Sequence, residues 1–159
     1  MKANFVDPVD FLERLHQAAV RYVLVGRQAV AQYGAPVQTM DYDFYLHPSA
    51  DDLERLRGVA EALDLEGMPD PGAASPMFSL QADGFKADFF RARAYALPDG
   101  DTLTFDEIYG RHVALSDDEL TVHVPAIGDL IRTKRLRNNS RDREDIAYLE
   151  LIREMTGER

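Results

Sequence analysis

Two aspartates, Asp41 and Asp43, stand two residues apart in the run MDYDFYLH from Met40 to His47. The run alternates in the manner of a strand with one buried face. On such a strand Asp41, Asp43 and Tyr45 project to one side, and Tyr42, Phe44 and Leu46 to the other. The two carboxylates then lie about 7 Å apart along the backbone. Like charges held that close repel, so the pair costs stability unless a cation compensates it. Hard oxygen donors on a rigid strand suit Mg²⁺, which takes one or two carboxylates together with substrate phosphates. On spacing alone, a half-exposed strand turning acids to water is the simpler reading.

The wider context changes that balance. The segment FKADFF, residues 85–90, places Lys86, Asp88 and Phe90 on one face and Phe85, Ala87 and Phe89 on the other. An aspartate in so apolar a run needs a partner to be buried cheaply. Upstream, RYVLVG at residues 21–26 reads as a buried strand closing on Gly26, followed by a short helix from Gln28 to Tyr33. A glycine there lets the backbone approach a ligand, and the start of a helix offers free N–H groups to phosphate. A third carboxylate beside the pair makes a set able to hold two metals, one at an attacking oxygen and one at a leaving phosphate.

The elements that must position these residues are legible in outline. Asp7-Pro8 marks a helix start, with Phe11, Leu12, Leu15 and Ala18 facing inward. Ser49 caps a helix running to about Leu63. Residues 67–76 are rich in glycine, proline and alanine and form a loop. Met77–Ala82 and Phe85–Arg91 form a hairpin at Asp83-Gly84. Thr104 and Glu107 make a capping box. Val113–Leu115 and Leu120–Val124 suggest a second hairpin turning near Asp117-Asp118. Two helices close the chain, roughly Ala126–Arg137 and Arg141–Met155. The order implies an α+β fold with a mixed sheet flanked by helices, not regular βαβ alternation.

The 159 residues have the size of one domain, read here as 1–159 with a helical part at about 125–156. The chain has no cysteine, which excludes disulfides, thiol catalysis and cysteine-ligated zinc. The first residues, MKANFVDPVD, meet acids before an apolar run develops, unlike a secretory leader. No apolar stretch approaches the roughly 20 residues of a membrane span. The chain reads as soluble and cytoplasmic. Its formal net charge of −10 disfavours non-specific binding to nucleic acid or anionic membrane. The basic cluster of Arg132, Lys134, Arg135, Arg137, Arg141 and Arg143 is either a local docking surface or a solvated helix face. His16, His47, His112 and His123 lack zinc-site spacing. No G-x-S-x-G elbow or GxxxxGK[ST] loop is present.

The ordered set Val23-Leu-Val-Gly-Arg-Gln-Ala-Val30, Thr39-Met-Asp-Tyr-Asp-Phe44 and Ala87-Asp88-Phe89 resembles the DNA polymerase β-like nucleotidyltransferase superfamily. With Ile131-Arg-Thr-Lys-Arg135 and Arg141-Asp-Arg-Glu-Asp-Ile146 it resembles more narrowly the minimal bacterial nucleotidyltransferases, including abortive-infection (AbiEii-type) toxins. The resemblance spans about residues 5–155. It implies a nucleotidyltransferase fold ending in a helix pair, and transfer of a nucleoside monophosphate from a nucleoside triphosphate to a hydroxyl of RNA, protein or a small molecule. Asp41, Asp43 and Asp88 would hold two Mg²⁺ (or Mn²⁺) ions, with Asp88 activating the acceptor hydroxyl. Gly26 and its neighbours would contact phosphate. A toxin–antitoxin or phage-defence setting with a cognate partner follows from the resemblance alone.

Three positions stay open in the sequence. The family carries Gly-Gly or Gly-Ser where this chain has Gly26-Arg27. Arg27 could grip phosphate as a guanidinium fork or obstruct the loop. In the second case the chain would be a nucleotide-binding or partner-binding module. Lys134 falls on an apolar helical stripe with Ile127, Leu130 and Ile131, so it must meet anions, either triphosphate oxygens or Asp142 and Asp145. Arg141 has the same two options. A carboxylate-metal phosphohydrolase on another fold is the third reading, disfavoured by the spacing from Gly26 to Asp41.

Overall fold

The structure is a computed structural model that describes residues 5–116, 120–136 and 139–159. Helix α1 (Pro8–Gln17) starts where Asp7 accepts from the Val9 N–H, with Pro8 in the first turn. Strand β1 (Tyr22–Val25) leads directly into α2 (Gly26–Gln32). Strand β2 (Tyr42–Leu46) is followed by α3 (Ala50–Ala62), capped by Ser49. Strands β3 (Met77–Ala82) and β4 (Phe85–Phe90) form the expected hairpin. Then come β5 (Ala94–Ala96), β6 (Thr102–Thr104), α4 (Phe105–Gly110), β7 (Val113–Ser116) and β8 (Thr121–Val124). Helices α5 (Ile127–Lys134) and α6 (Ser140–Thr156) finish the chain. Two expectations shift. Helix α2 begins at Gly26 and not Gln28, and α5 ends at Lys134. The turn at Asp117-Asp118 and the residue Arg137 lie outside the described residues.

The main sheet has the order β1-β2-β4-β3. Strand β2 runs parallel to β4 and antiparallel to β1, and β3 is antiparallel to β4. Both faces of the sheet are covered, and the alternation along each strand sorts its side chains between two apolar clusters. Tyr22, Leu24, Phe44, Leu46, Ala87 and Phe89 join Phe11, Leu15 and Leu56 in the larger cluster beneath α1 and α3. Phe11 meets Phe44, Phe85 and Phe89 edge-on, with ring centroids 5.1–6.3 Å apart, while Phe44 and Phe89 stack at 4.8 Å. Val23, Val25 and Tyr45 go to the other face, where Leu97, Leu103, Phe105 and Ile108 cover them. The face that bears the carboxylates is therefore core at Tyr45. It opens at the end of the sheet, where Asp43 lies between Val25 and Asp88 in register.

Strands β5 and β6 were not anticipated. Each is three residues long, too short for an alternation signal, although Pro98-Asp99-Gly100 between them is a turn sequence. Three histidines with no sequence spacing in common also meet. His16 Nδ1 lies 3.4 Å from His123 Nε2, His123 Nδ1 lies 2.8 Å from His112 Nε2, and His112 Nδ1 contacts the Tyr109 carbonyl. This chain of contacts is satisfied with all three rings neutral, each donating to the next. Burial first, then the neighbouring His112 and His16, hold the His123 pKa down to about 4.

Two predictions follow from this frame. The unfolded chain protonates His123 near 6.5 and the folded chain near 4, so the unfolded state binds more protons between those values. Stability contributed by the neutral His123 is complete above pH 6.5 and is lost as pH falls toward 4. Thermal melting from pH 7 to pH 4.5 should show a decreasing Tm, and His123→Gln should flatten that slope. Gly26 has φ +67°, and a Cβ added to it would stand 2.7 Å from Asp43 Oδ2. Left-handed backbone costs a residue with a side chain about 1–2 kcal/mol, before any clash. Gly26→Ala should lose at least that much in urea unfolding, whereas Gly34→Ala, with open space around it, should lose only the backbone share.

Candidate active site

Asp43 is brought to the site by two constraints. Strand β2 registers it beside Asp88 on parallel β4, and the left-handed turn at Gly26 brings the α2 backbone against its carboxylate. Adjacent strands lie about 4.8 Å apart, so Asp43 and Asp88 are neighbours on one face. Ser79, opposite Asp88 on β3, donates its hydroxyl to Asp88 Oδ1, and Lys86 Nζ lies 3.8 Å from the same oxygen. Asp88 therefore has the partner its apolar strand demands. Asp41 is exposed and precedes the strand, and its N–H donates to Thr39 Oγ1 at 3.2 Å. The Thr39 carbonyl accepts from Gln28 at 2.8 Å, tying this loop to α2. Among the described residues, no three His, Asp or Glu side chains converge closely enough to hold a metal by themselves.

The opposite wall is the C-terminal helix pair. Lys134 is 5% exposed, and its Nζ donates to Asp145 Oδ2 at 2.7 Å and to Asp142 Oδ1 at 3.4 Å. Asp142 also caps α6 with Asn139, which accepts from the Asp142 N–H at 2.9 Å. Arg27 donates from Nε to Asp145 Oδ1 at 3.1 Å, and its Nη2 lies 3.5 Å from Glu144. Lys134 thus takes the interhelical ion pair, and Arg27 is turned to α6. Asp145 bridges the two cations. Arg141 is exposed and lines the cleft.

The cleft between these walls has a volume of about 120 Å³. Arg27, Lys134 and Arg141 line it together with Asp41, Asp43, Asp142 and Asp145. Three cations thus accompany four carboxylates. A polyphosphate entering alone would meet no net positive field, so a cation must accompany it.

A second compartment of about 210 Å³ adjoins the first and shares Asp43, Lys134 and Asp142 with it. Its other lining includes Val25, Tyr45, Phe90, Tyr95 and Leu136. Tyr95 comes from β5, so this compartment was invisible without the β5–β6 hairpin.

No family model matches the chain, and no curated protein matches it significantly by sequence. Solved structures do. The lincosamide antibiotic adenylyltransferase LnuA, with lincomycin bound, is 15% identical; the match covers 94% of this chain and 99% of that one, with a TM-score of 0.64. ANT(2'')-Ia in complex with adenylyl-2''-tobramycin is 12% identical, over 91% of each chain, with a TM-score of 0.55. An antigenic nucleotidyltransferase-like protein from Paracoccidioides brasiliensis is 18% identical over 89% of this chain and 72% of that one, at 0.55. The shared architecture agrees with the mixed sheet and flanking helices described above, and the chain has the nucleotidyltransferase fold.

Proposed function

We propose that this protein transfers a nucleoside monophosphate from a nucleoside triphosphate to the hydroxyl of a small molecule. The observation that carries the reading is Asp43, which sits at the Gly26 turn in register with Asp88 and lines a cleft that also holds Arg27, Lys134 and Arg141. The donor chemistry fits Mg²⁺. Two carboxylates on neighbouring strands, with Asp41 at the rim, offer hard oxygens, and the charge balance of the cleft calls for a cation. Asp43 and Asp88 would be the principal ligands. When bound, Mg²⁺ supplies charge neutralisation to the triphosphate.

The chain's own residues have distinct parts in this reading. Lys134 and Arg141 bind phosphate oxygens. Lys134 can exchange Asp145 for phosphate because Arg27 remains to neutralise that buried carboxylate. Asp88 accepts the proton of the acceptor hydroxyl as the new O–P bond forms and the bond to pyrophosphate breaks. The small-molecule acceptor is supported by the antibiotic adenylyltransferases that share the fold over nearly their whole length. RNA and protein are the other acceptor classes, and the charge of −10 disfavours RNA. A toxin–antitoxin partner rests on the resemblance alone and forms no part of the proposal.

One observation favours a second reading, a nucleotide-binding or partner-binding module. Arg27 occupies the position next to the glycine turn, lines the cleft, and is already paired with Asp145 and Glu144.

Transfer of label from each NTP with Mg²⁺ to a panel of hydroxyl-bearing small molecules, to cell RNA and to cell protein separates these readings. The wild type should transfer, and Asp88→Asn and Asp43→Asn should each reduce the rate roughly 10²–10⁴-fold without unfolding the chain. NTP binding without transfer to any acceptor would instead support the module. Arg27→Ser should lower stability by about 1–3 kcal/mol through loss of the α2–α6 ion pair, and reduce transfer, because Lys134 then has no partner to leave with Asp145. A large gain in transfer would identify Arg27 as an obstruction.

A further inference from the structure

We infer that the apolar compartment beside Asp43 holds the nucleobase of the triphosphate by ring contact, so that the protein accepts several nucleoside triphosphates rather than one. This rests on the reading that the polar cleft takes the triphosphate.

The two compartments share Asp43 and Lys134, so a molecule with phosphates in the polar half reaches the apolar half on passing Asp43. The polar half, at about 120 Å³, is filled by the phosphates and cannot also hold the base. The apolar half, at about 210 Å³, is smaller than a drug-sized site of roughly 300–1,000 Å³ and suits one ring system. Its walls are aromatic. Tyr45 and Tyr95 stack at 4.3 Å with ring planes 14° apart, and Phe90 meets Tyr45 edge-on at 6.1 Å. Such walls contact the π-face or edge of any base, and aromatic contact of this kind is tolerant of base identity.

Besides Asp43, Lys134 and Asp142, which it shares with the polar cleft, the side-chain polar atoms of this half are the hydroxyls of Thr133, Tyr45 and Tyr95. The Thr133 hydroxyl is already given to the Leu130 carbonyl at 2.7 Å. The Tyr95 hydroxyl is buried and makes no hydrogen bond of ordinary geometry, although the Ala92 backbone lies near it. A phenolic hydroxyl both donates and accepts, so it can serve either a donor or an acceptor edge. The ring is committed to the nucleoside, not to the acceptor, because the nucleoside is covalently tied to the phosphates in the adjoining cleft.

The test measures equilibrium binding of ATP, GTP, CTP, UTP and inorganic tripolyphosphate, each with Mg²⁺, to the wild type, Tyr95→Leu and Tyr95→Phe. The four nucleotides should bind within roughly tenfold of one another, and each roughly tenfold or more above tripolyphosphate. Tyr95→Leu should erase most of that advantage and leave tripolyphosphate binding unchanged, while Tyr95→Phe keeps most of it. In NMR spectra of the wild type, ATP but not tripolyphosphate should shift the ring protons of Tyr45 and Tyr95. Equal affinity for nucleotide and tripolyphosphate, discrimination of one base by far more than tenfold, or unmoved ring protons would overturn the inference while leaving the polar cleft intact. Binding of neither nucleotide nor tripolyphosphate would overturn the polar-cleft reading and this inference together.

Discussion

Two carboxylates set side by side on parallel strands are the constraint around which the rest of this molecule is arranged. Like charges directly opposite one another weaken a sheet. Asp43 and Asp88 nevertheless sit in register on one face of the sheet, in strands that are apolar apart from them and Lys86. The sheet can carry them because the remainder of both strands is locked from both faces. Phe44, Leu46, Ala87 and Phe89 are held on one side and Tyr45 on the other. Part of the repulsion is offset by Ser79 and Lys86 at Asp88. The rest of the arrangement suits a site that gains stability when a cation and its anionic ligand arrive.

The helix pair solves a related problem by burying opposite charges together. Lys134, Asp142 and Asp145 are all nearly inaccessible, and Arg27 closes the network from α2. Buried ions are costly unless each is paired and hydrogen-bonded. Here each carboxylate is shared between Lys134 and a further contact: Asp142 accepts from the Asn139 N–H, and Asp145 from Arg27. The network fastens α5 and α6 against the helix that carries the Gly26 turn. It therefore holds the two walls of the cleft at a defined separation. The same network explains how an arginine can follow the glycine: its guanidinium is drawn off to α6.

The sequence carried the local physics of this fold. The caps at Asp7, Ser49 and Thr104, the Asp83-Gly84 hairpin, and the alternation in residues 42–46 and 85–90 are short-range signals, and the structure follows them. The inward position of Lys134, Asp142 and Asp145 was equally readable from helical spacing. Strands β5 and β6 escaped because three residues hold too little periodicity to separate a strand from a loop. The second covered face of the sheet escaped with them, since Tyr45 in isolation gives no sign of what lies above it.

What the sequence determined by itself was the set of chemical groups and the face of each element that bears them. Three aspartates, a glycine before a short helix and an inward lysine were all legible from spacing. Only the tertiary structure decided which groups meet. The parallel register of β2 with β4 puts Asp43 beside Asp88, and the crossing of α5, α6 and α2 gives Asp145 to both Lys134 and Arg27. The packing of β5 against the sheet adds Tyr95 to the wall beside Asp43, and three distant elements bring His16, His112 and His123 into one chain of contacts. The physical reason is that side-chain direction follows from local backbone geometry, whereas contact between residues a hundred positions apart depends on how whole elements pack.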